Sequence, residues 1–426
     1  MSGDIPVEWW ICWSKWPRSE SSRESDMKKL TIRDLDLHEK CVLMRVDFNV
    51  PMDNRGNITD DLRIQAVMPT IRLALEQRAR LVLMSHLGRP GGKVVPELSL
   101  KPVAEYLKKL TERPVFFAPD CIGETVEKTA RALEPGQILM LENLRFHEGE
   151  KKNDEQFARS LARLGDIYAN DAFGSAHRSH ASVVNTAKQF AVRVAGLLMG
   201  KELDFLGRVV YAPKKPFVAI LGGAKVADKI PLIRSILPKV DRLLVGGGMA
   251  YSFLKAQGKE IGRSILDEAH IDDLRTWLDQ NPEKIVLPLD FVVAEKLDLD
   301  TRTLGAVQTV SADRIPSDRI GVDVGPRTIE LFEKACKSAR TVIWNGPMGV
   351  FEIEGSSRGT MDVARLLSKL HDRGATTVVG GGDSALAMKV AGLIQAVSHI
   401  STGGGAALEF LQGKELPGVS VLCDAE

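Results

Sequence analysis

The chain has 426 residues, 44% of them hydrophobic and 27% charged, with a formal net charge of +1. That length suits about two to three domains, and the composition is that of globular material able to bury sizeable cores. Near-neutrality excludes a whole-molecule field for nucleic acid or an anionic membrane surface, and no apolar run approaches the roughly 18 residues needed to cross a bilayer.

The five cysteines (Cys12, Cys41, Cys121, Cys336, Cys423) are odd in number and form no CxxC. This pattern reads as reduced thiols in a cytoplasmic protein, against a disulfide framework or a zinc site. Residues 1–26 stand apart: Trp9, Trp10, Trp13 and Trp16 precede the polar run SESSRESD. Their acidic residues argue against a signal or transit peptide. The segment is expected to be an unstructured or non-native extension ahead of Met27, with an aromatic docking arm as the alternative.

From Lys28 onward, short apolar runs alternate with helix-like stretches. The first half carries CVLM (41–44), RLVLMS (80–85), QILML (137–141) and DIYAND (166–171). The second half carries PFVAIL (216–221), DRLLVG (241–246), KIVLP (284–288), TVIWN (341–345), ATTVVG (375–380) and VSHIS (397–401). Between them lie stretches such as SLKPVAEYLKKL, with Pro102 in its first turn, and NDEQFARSLARL, with an acidic start. Continuous apolar strands alternating with helices predict parallel sheets covered on both faces. The number of strands favours two doubly wound α/β domains joined near 200–216, with a barrel as the competing architecture.

The strand ends differ between the halves. In CVLMRVDFNVP, Arg45, Asp47 and Asn49 alternate along extended chain, so all three are expected on one side, and Pro51 is expected to end the strand. HLGR (86–89), LRFH (144–147) and AHRSH (176–180) follow other strands, and Arg63 sits at a predicted helix start in DDLRIQA. Arginine forks match carboxylate and phosphate, so this half reads as a pocket for a small, highly anionic substrate. Structural ion pairs remain the alternative for any single residue. His177 and His180, one helical turn apart, lack an evident third ligand for a metal.

In the second half the strand ends carry glycine: GGAKVADK (222–229), GGGMA (246–250), NGPMG (345–349), GGGDSA (380–385) and TGGGA (402–406). Glycine admits close approach of backbone N–H groups to phosphate, and a helix N-terminus favours the charge. Lys225 and Lys229, a turn apart, can face the same phosphates. Asp383 inside such a loop predicts an intervening Mg²⁺. GLLMGKE (196–202) is not a P-loop. GGGDSA fits the dinucleotide fingerprint, yet Ser401, Thr402 and Gly403 stand where that fingerprint needs a ribose-binding acid. An NAD-dependent dehydrogenase is therefore disfavoured, and a non-catalytic two-domain anion-binding protein is the other alternative.

MRVDFNVP, SHLGRP, LENLRFHEGE, NDAFGSAHRSHAS, AILGGAKVADKI, GGGMAYSFLKAQG, WNGPMGVFE, VVGGGDS and STGGGAALEFLQGKELPGV together resemble phosphoglycerate kinase, in the family's order from about Lys28 to about Val421. The resemblance implies two Rossmann-like domains joined by a hinge. The acid-binding domain is expected over 27–205, the nucleotide domain over 206–405, and a tail, 406–426, returning to the first. It implies reversible, Mg²⁺-dependent phosphoryl transfer from 1,3-bisphosphoglycerate to ADP, giving 3-phosphoglycerate and ATP, in a monomeric cytoplasmic enzyme with no nucleic-acid or membrane partner.

Carried over by motif, Asp47, Asn49, Arg63, His86, Arg89, Arg145 and Arg178 would bind the phosphoglycerate. Arg63 and Lys225 would neutralise the phosphoryl group in flight. Gly223, Ala224, Lys225, Lys229, Gly247, Asn345, Glu352, Gly381, Gly382, Asp383 and Ser384 would bind the nucleotide, Glu352 towards the ribose and Asp383 towards Mg²⁺. Ser175, Ser179 and Leu386 are small departures within these motifs. Domain closure is expected to bring the two reactants together and exclude water.

Overall fold

The computed structural model describes residues 28–53 and 55–425, so the reading of the tryptophan-rich segment lies outside the described residues. The chain divides into two compact units between Gly207 and Arg208, and the tail from Glu415 belongs to the first. The helix Leu197–Tyr211 contains that boundary.

The first unit is built on six strands: β1 (Cys41–Val46), β2 (Arg80–Met84), β3 (Val115–Phe117), β4 (Ile138–Met140), β5 (Ile167–Asp171) and β6 (Arg193–Ala195). They pair in the order β3-β4-β2-β1-β5-β6, every neighbour parallel. In β1, Val42, Leu43 and Met44 are fully buried, so both faces of the strand are covered, which is why the strand reads as a continuous apolar run. The helix Leu62–Glu76 buries Ile64, Val67, Met68, Ile71 and Leu75, the spacing of one helical face. The helix Glu155–Ala162 starts where Asp154 accepts the Phe157 N–H at 2.7 Å, a side-chain N-cap. Pro51 does not end β1. The strand stops at Val46, and Val50 N–H already bonds Phe48 O at 2.9 Å.

The second unit runs through β7 (Phe217–Leu221), β8 (Arg242–Val245), β9 (Ile285–Val286), β10 (Asp290–Ala294), β11 (Leu297–Asp298), β12 (Thr303–Leu304), β13 (Val307–Ser311), β14 (Ile320–Val324), β15 (Thr341–Asn345), β16 (Thr376–Gly380) and β17 (His399–Ile400). Six of these form a second parallel sheet in the order β17-β16-β15-β7-β8-β9. The architecture is thus two open doubly wound sheets, and the barrel is excluded.

Strands β10, β13 and β14 form a separate antiparallel sheet, and β11 pairs with β12 as a hairpin. The sequence reading places no strand here: β13 is mostly exposed and β11 and β12 are two residues long, although β10 carries the largely buried run FVVA. The three-residue strands β3 and β6 also escape the sequence reading: neither is longer than a turn's worth of apolar residues.

In each sheet one strand has neighbours reached in opposite chain directions: β1 lies between β2 and β5, and β7 between β15 and β8. At such switch points the loops leave the carboxyl ends in opposite directions and open a crevice. The tail closes the first unit: Leu30 N–H donates to Cys423 O and Cys423 N–H to Arg193 O, both at 2.9 Å. Asn170 Nδ2 donates to Gly418 O at 3.2 Å. The helix Gly405–Leu411, placed by the sequence reading at the start of that tail, stays in the second unit, where Ser235 Oγ donates to Leu411 O.

Asp171, at the carboxyl end of β5, is fully buried. It accepts from the Thr70 hydroxyl and, at 2.9 Å, from Met199 N–H at the start of the helix Leu197–Tyr211. Gly196 allows this approach, since a Cβ there would lie 2.1 Å from Asp171 Cγ. Burial pushes the carboxyl up from 3.8 to about 7.

Two measurements test this account. Leu83 is fully buried in β2, and Leu83→Ala should cost about 2–5 kcal/mol in urea unfolding; a loss well under that range would mean β2 is not core. The raised pKa of Asp171 means its folded form holds a proton that the unfolded chain releases. Its stabilising contribution is complete below 3.8 and is lost as pH rises through about 7. Asp171→Asn should therefore gain stability relative to the parent as pH climbs across that window, and a pH-independent difference would refute the assignment.

Candidate active site

The carboxyl ends of β1 and β2 gather the first cluster. Arg45 is fully buried; its Nε donates to Ser182 Oγ at 2.9 Å and its Nη2 lies 3.0 Å from His86 Nδ1. Because the guanidinium can only donate, His86 Nδ1 accepts, and its proton sits on Nε2. Burial, reinforced by Arg45, Arg145 and Arg63, holds His86 well below the usual imidazole pKa. His180 is pushed down to about 4 by burial and by Arg145, Arg45 and Arg178. These imidazoles are neutral near pH 7, so the cationic character of the cluster comes from arginine alone.

Asp47 holds Arg63: its Nη1 lies 3.2 Å from both carboxylate oxygens and 3.2 Å from Asn49 O. The rest of the Arg63 fork stays open, with 38% of the side chain exposed. The side chain of Asn49 is turned to the backbone, accepting Gly88 N–H at 2.9 Å. Arg145 Nη1 donates to Gly88 O at 2.7 Å, while its buried Nε has no partner. Burial and the charges of Arg45 and Arg178 bring the Arg145 guanidinium down to about 10. Arg89 and Arg178 are exposed, and neither is held in an ion pair among the described residues.

Several supporting residues lie within the recognised motifs, although the sequence reading gives them no role. Glu150, fully buried, accepts from Ser182 Oγ at 2.7 Å and from Ser182 N–H at 2.9 Å, behind Arg45. Asn143 Oδ1 accepts from Leu87 and Arg145 N–H, and Ser85 Oγ from Phe48 N–H. They tie the loops after β1, β2 and β4 together. Their sequence signal is membership of those motifs and polarity beside a strand end. His147, by contrast, leaves this cluster: its Nε2 lies 2.7 Å from Asp120 Oδ1.

In the second unit, the loops after β7, β8 and β15 interlock through glycine. Gly223 N–H donates to Pro347 O at 2.8 Å, Gly222 N–H to Asn345 O at 2.9 Å and Gly247 N–H to Met348 O at 3.1 Å. Gly247 has φ +63°, and a Cβ there would lie 2.7 Å from Gly223 N and Pro347 O. No L side chain fits that junction.

Lys229 Nζ bonds Asn345 Oδ1, and Asn345 Nδ2 donates to Gly380 O at 2.8 Å. Burial lowers the Lys229 pKa, while Asp228 and Asp383 oppose that. Ser384, fully buried, accepts Gly346 N–H at 2.7 Å. Gly381 has φ +92° and precedes the helix Gly382–Val390, whose first turn carries the exposed Asp383. Lys225 is exposed, outside any ion pair among the described residues.

A cavity of about 560 Å³ opens on these loops, bordered by Gly223, Ala224, Gly247, Glu352 and Asp383. Its far wall is apolar, with Ile265, Leu297, Leu299 and Ile320. That size and lining suit a planar heterocycle with a charged tail directed at the glycine loops. Leu297, Leu299 and Ile320 come from the inserted β10–β14 region, which the sequence reading missed. The structure therefore groups Gly223, Ala224, Gly247, Glu352 and Asp383 around one cavity. Lys229, Asn345 and Ser384 lie in the hydrogen-bonded layer beneath these loops.

A family model described as phosphoglycerate kinase matches residues 32–414. The phosphoglycerate kinase of Pseudothermotoga lettingae is 50% identical over 404 residues, spanning 93% of this chain and 99% of that one. That of Chloroherpeton thalassium is 50% identical over 402 residues, spanning 94% and 100%. Among solved structures, phosphoglycerate kinase from Coxiella burnetii aligns with a TM-score of 0.81 at 40% identity, covering 92% of this chain and 98% of that one. The enzyme from Pyrococcus horikoshii OT3 aligns with a TM-score of 0.79 at 32% identity and the same coverage. With two open parallel sheets, an arginine cluster at one switch point and glycine loops around a cavity at the other, this chain belongs to the phosphoglycerate kinase family.

Proposed function

We propose that in this phosphotransferase the arginine cluster of the first unit holds 3-phosphoglycerate or 1,3-bisphosphoglycerate, and that the cavity of the second unit holds ADP or ATP. The observation that carries the first assignment is the crowding of guanidinium groups about Arg145. Arg45 and Arg178 act on it as like charges, and its buried Nε is unpartnered. Such a cluster is stabilised by an anion with several oxygens. Asp47 fixes Arg63 through one nitrogen and leaves the remaining donors free. Neutral His86 adds a directional Nε2–H donor to the same set.

In the second unit, the apolar wall suits the base, Glu352 the ribose, and the loops at Gly223, Gly247 and Gly381 the phosphates. Asp383 is exposed at the cavity edge, a single carboxylate beside the proposed phosphate loops. That donor set fits Mg²⁺, which binds through one or two carboxylates plus phosphate oxygens. When bound, the ion would neutralise phosphate charge. The dehydrogenase reading has no support in the family, and a binding protein without turnover has none either.

Both nucleophiles of the reaction are already anionic near pH 7: a diphosphate oxygen in one direction, a carboxylate in the other. No general base is needed. The demand on the protein is in-line positioning and neutralisation of the charge in flight, which Arg63 and Lys225 supply. The two ligands bind on different units, so transfer requires their approach and the exclusion of water from the acyl phosphate. No helix among the described residues is long and apolar enough to cross a membrane. We place the enzyme in the reducing cytoplasm as a monomer, in keeping with free Cys41, Cys121, Cys336 and Cys423.

The test is 3-phosphoglycerate-dependent ADP formation from ATP. Arg63→Ala and Lys225→Ala should each lower turnover by about 10²–10³-fold, the usual loss for one such charge contact, with an unchanged thermal transition. Retention of more than about a tenth of parental turnover in either variant would remove that residue from the role. Asp383→Asn should raise the Mg²⁺ concentration needed for half-maximal rate; an unchanged requirement would place the ion elsewhere.

A further inference from the structure

Away from both clusters, the first unit brings Asp120, Cys121 and His147 together, with one ligand atom from each lying within 4.8 Å of the others. His147 Nε2 is 2.7 Å from Asp120 Oδ1, and the Cys121 thiol, with no exposure, faces the same carboxylate. The residues come from two loops far apart in sequence. One leads from β3 into the helix Glu124–Arg131; the other leads from Arg145 into the helix Glu148–Lys152. The His147 ring also packs on Phe157, with centroids 5.2 Å apart. A cavity of about 400 Å³, bordered by His147, Glu148, Lys152, Asp154 and Phe157, adjoins the histidine, and Asp120 is half exposed to solvent.

A Cys-Asp-His group invites a second reading as a nucleophile with its base. The thiol does not support it: burial, with the charges of Asp120 and Glu150 added, pushes Cys121 well above the ordinary thiol pKa, and a buried thiol of this kind is inert.

We propose that Asp120, Cys121 and His147 form a binding site for a divalent transition cation of the zinc type, with the fourth position open to the adjoining cavity. The donor set mixes sulfur, imidazole nitrogen and carboxylate oxygen, which selects zinc-type ions over Mg²⁺ or Ca²⁺. Tetrahedral bonds of about 2.0–2.3 Å hold ligand atoms roughly 3.5 Å apart. The present spread, from 2.7 Å to within 4.8 Å, brackets that value and needs side-chain adjustments of about an ångström.

On binding, the Cys121 S–H bond breaks, its electron pair goes to the metal and its proton to solvent. In the unfilled site His147 Nε2–H donates to Asp120 Oδ1. On binding that proton passes to solvent, the neutral ring keeps a single proton on Nδ1, and the freed Nε2 lone pair goes to the metal. A thiolate and a carboxylate balance a dication, so the filled site is neutral and the cost of a buried thiolate is offset. The ion would clamp the loop after β3 to the turn that follows Arg145.

The metal-stripped full chain, kept reduced, is titrated with Co²⁺ as a spectroscopic probe and with Zn²⁺. One Co²⁺ per chain should bind with a sulfur-to-metal charge-transfer band, and Zn²⁺ should displace it and raise the thermal midpoint. Cys121→Ser should abolish the band. His147→Gln, at a half-buried position, should weaken binding by at least about tenfold. Absence of the band in the parent would overturn the proposal. So would a band that survives unchanged in both variants, which would assign the metal to another thiol such as the partly exposed Cys423.

Discussion

Burying a parallel sheet on both faces leaves very little of each strand for chemistry. In β1 every residue is buried, and in β7 likewise. Polar groups along such a strand would need partners that the apolar layers do not supply. Polar groups are therefore concentrated at the carboxyl ends, and each sheet offers one crevice, at the strand where the winding reverses. Arg45 and Asp47 emerge at that point in one unit, and Gly222 to Lys225 in the other.

The two crevices solve opposite electrostatic problems. The first holds fixed side-chain charge in excess: Arg45 is kept in place by Ser182 and Glu150, and Arg145 by Gly88 O and Asn143. Its imidazoles are neutral because they are buried, and the neighbouring arginines add to that. The second relies on backbone. Its glycine loops bond one another through main-chain groups, so spacing is set by how closely chains approach rather than by side-chain length. Side-chain forks suit an acid that must be oriented, and backbone amides suit a phosphate chain that must be accommodated.

The contact between Asp120 in the loop after β3 and His147 in the turn after Arg145 shows how close supporting structure lies to the chemistry. His147 and Arg145 share one short turn, yet their side chains serve different neighbourhoods, one paired with Asp120 and the other with Gly88. A run of cationic and imidazole residues in sequence does not therefore amount to a single cluster in space.

Much of this was legible in the amino-acid order. Continuous apolar runs marked ten of the twelve strands in the two parallel sheets, because a strand buried on both faces admits little else. The residues released at the strand ends lie around the two crevices, because sheet geometry gives them only one direction to go. The three-residue strands β3 and β6 and the exposed β13 stayed hidden, since their apolar signal is too short or absent. The neutrality of His86, the orphaned Nε of Arg145, the apolar wall supplied by Leu297, Leu299 and Ile320, and the meeting of Asp120 and Cys121 with His147 were also decided by tertiary structure alone. Each depends on which side chains lie within a few ångströms once distant segments are packed, and sequence spacing carries no record of that.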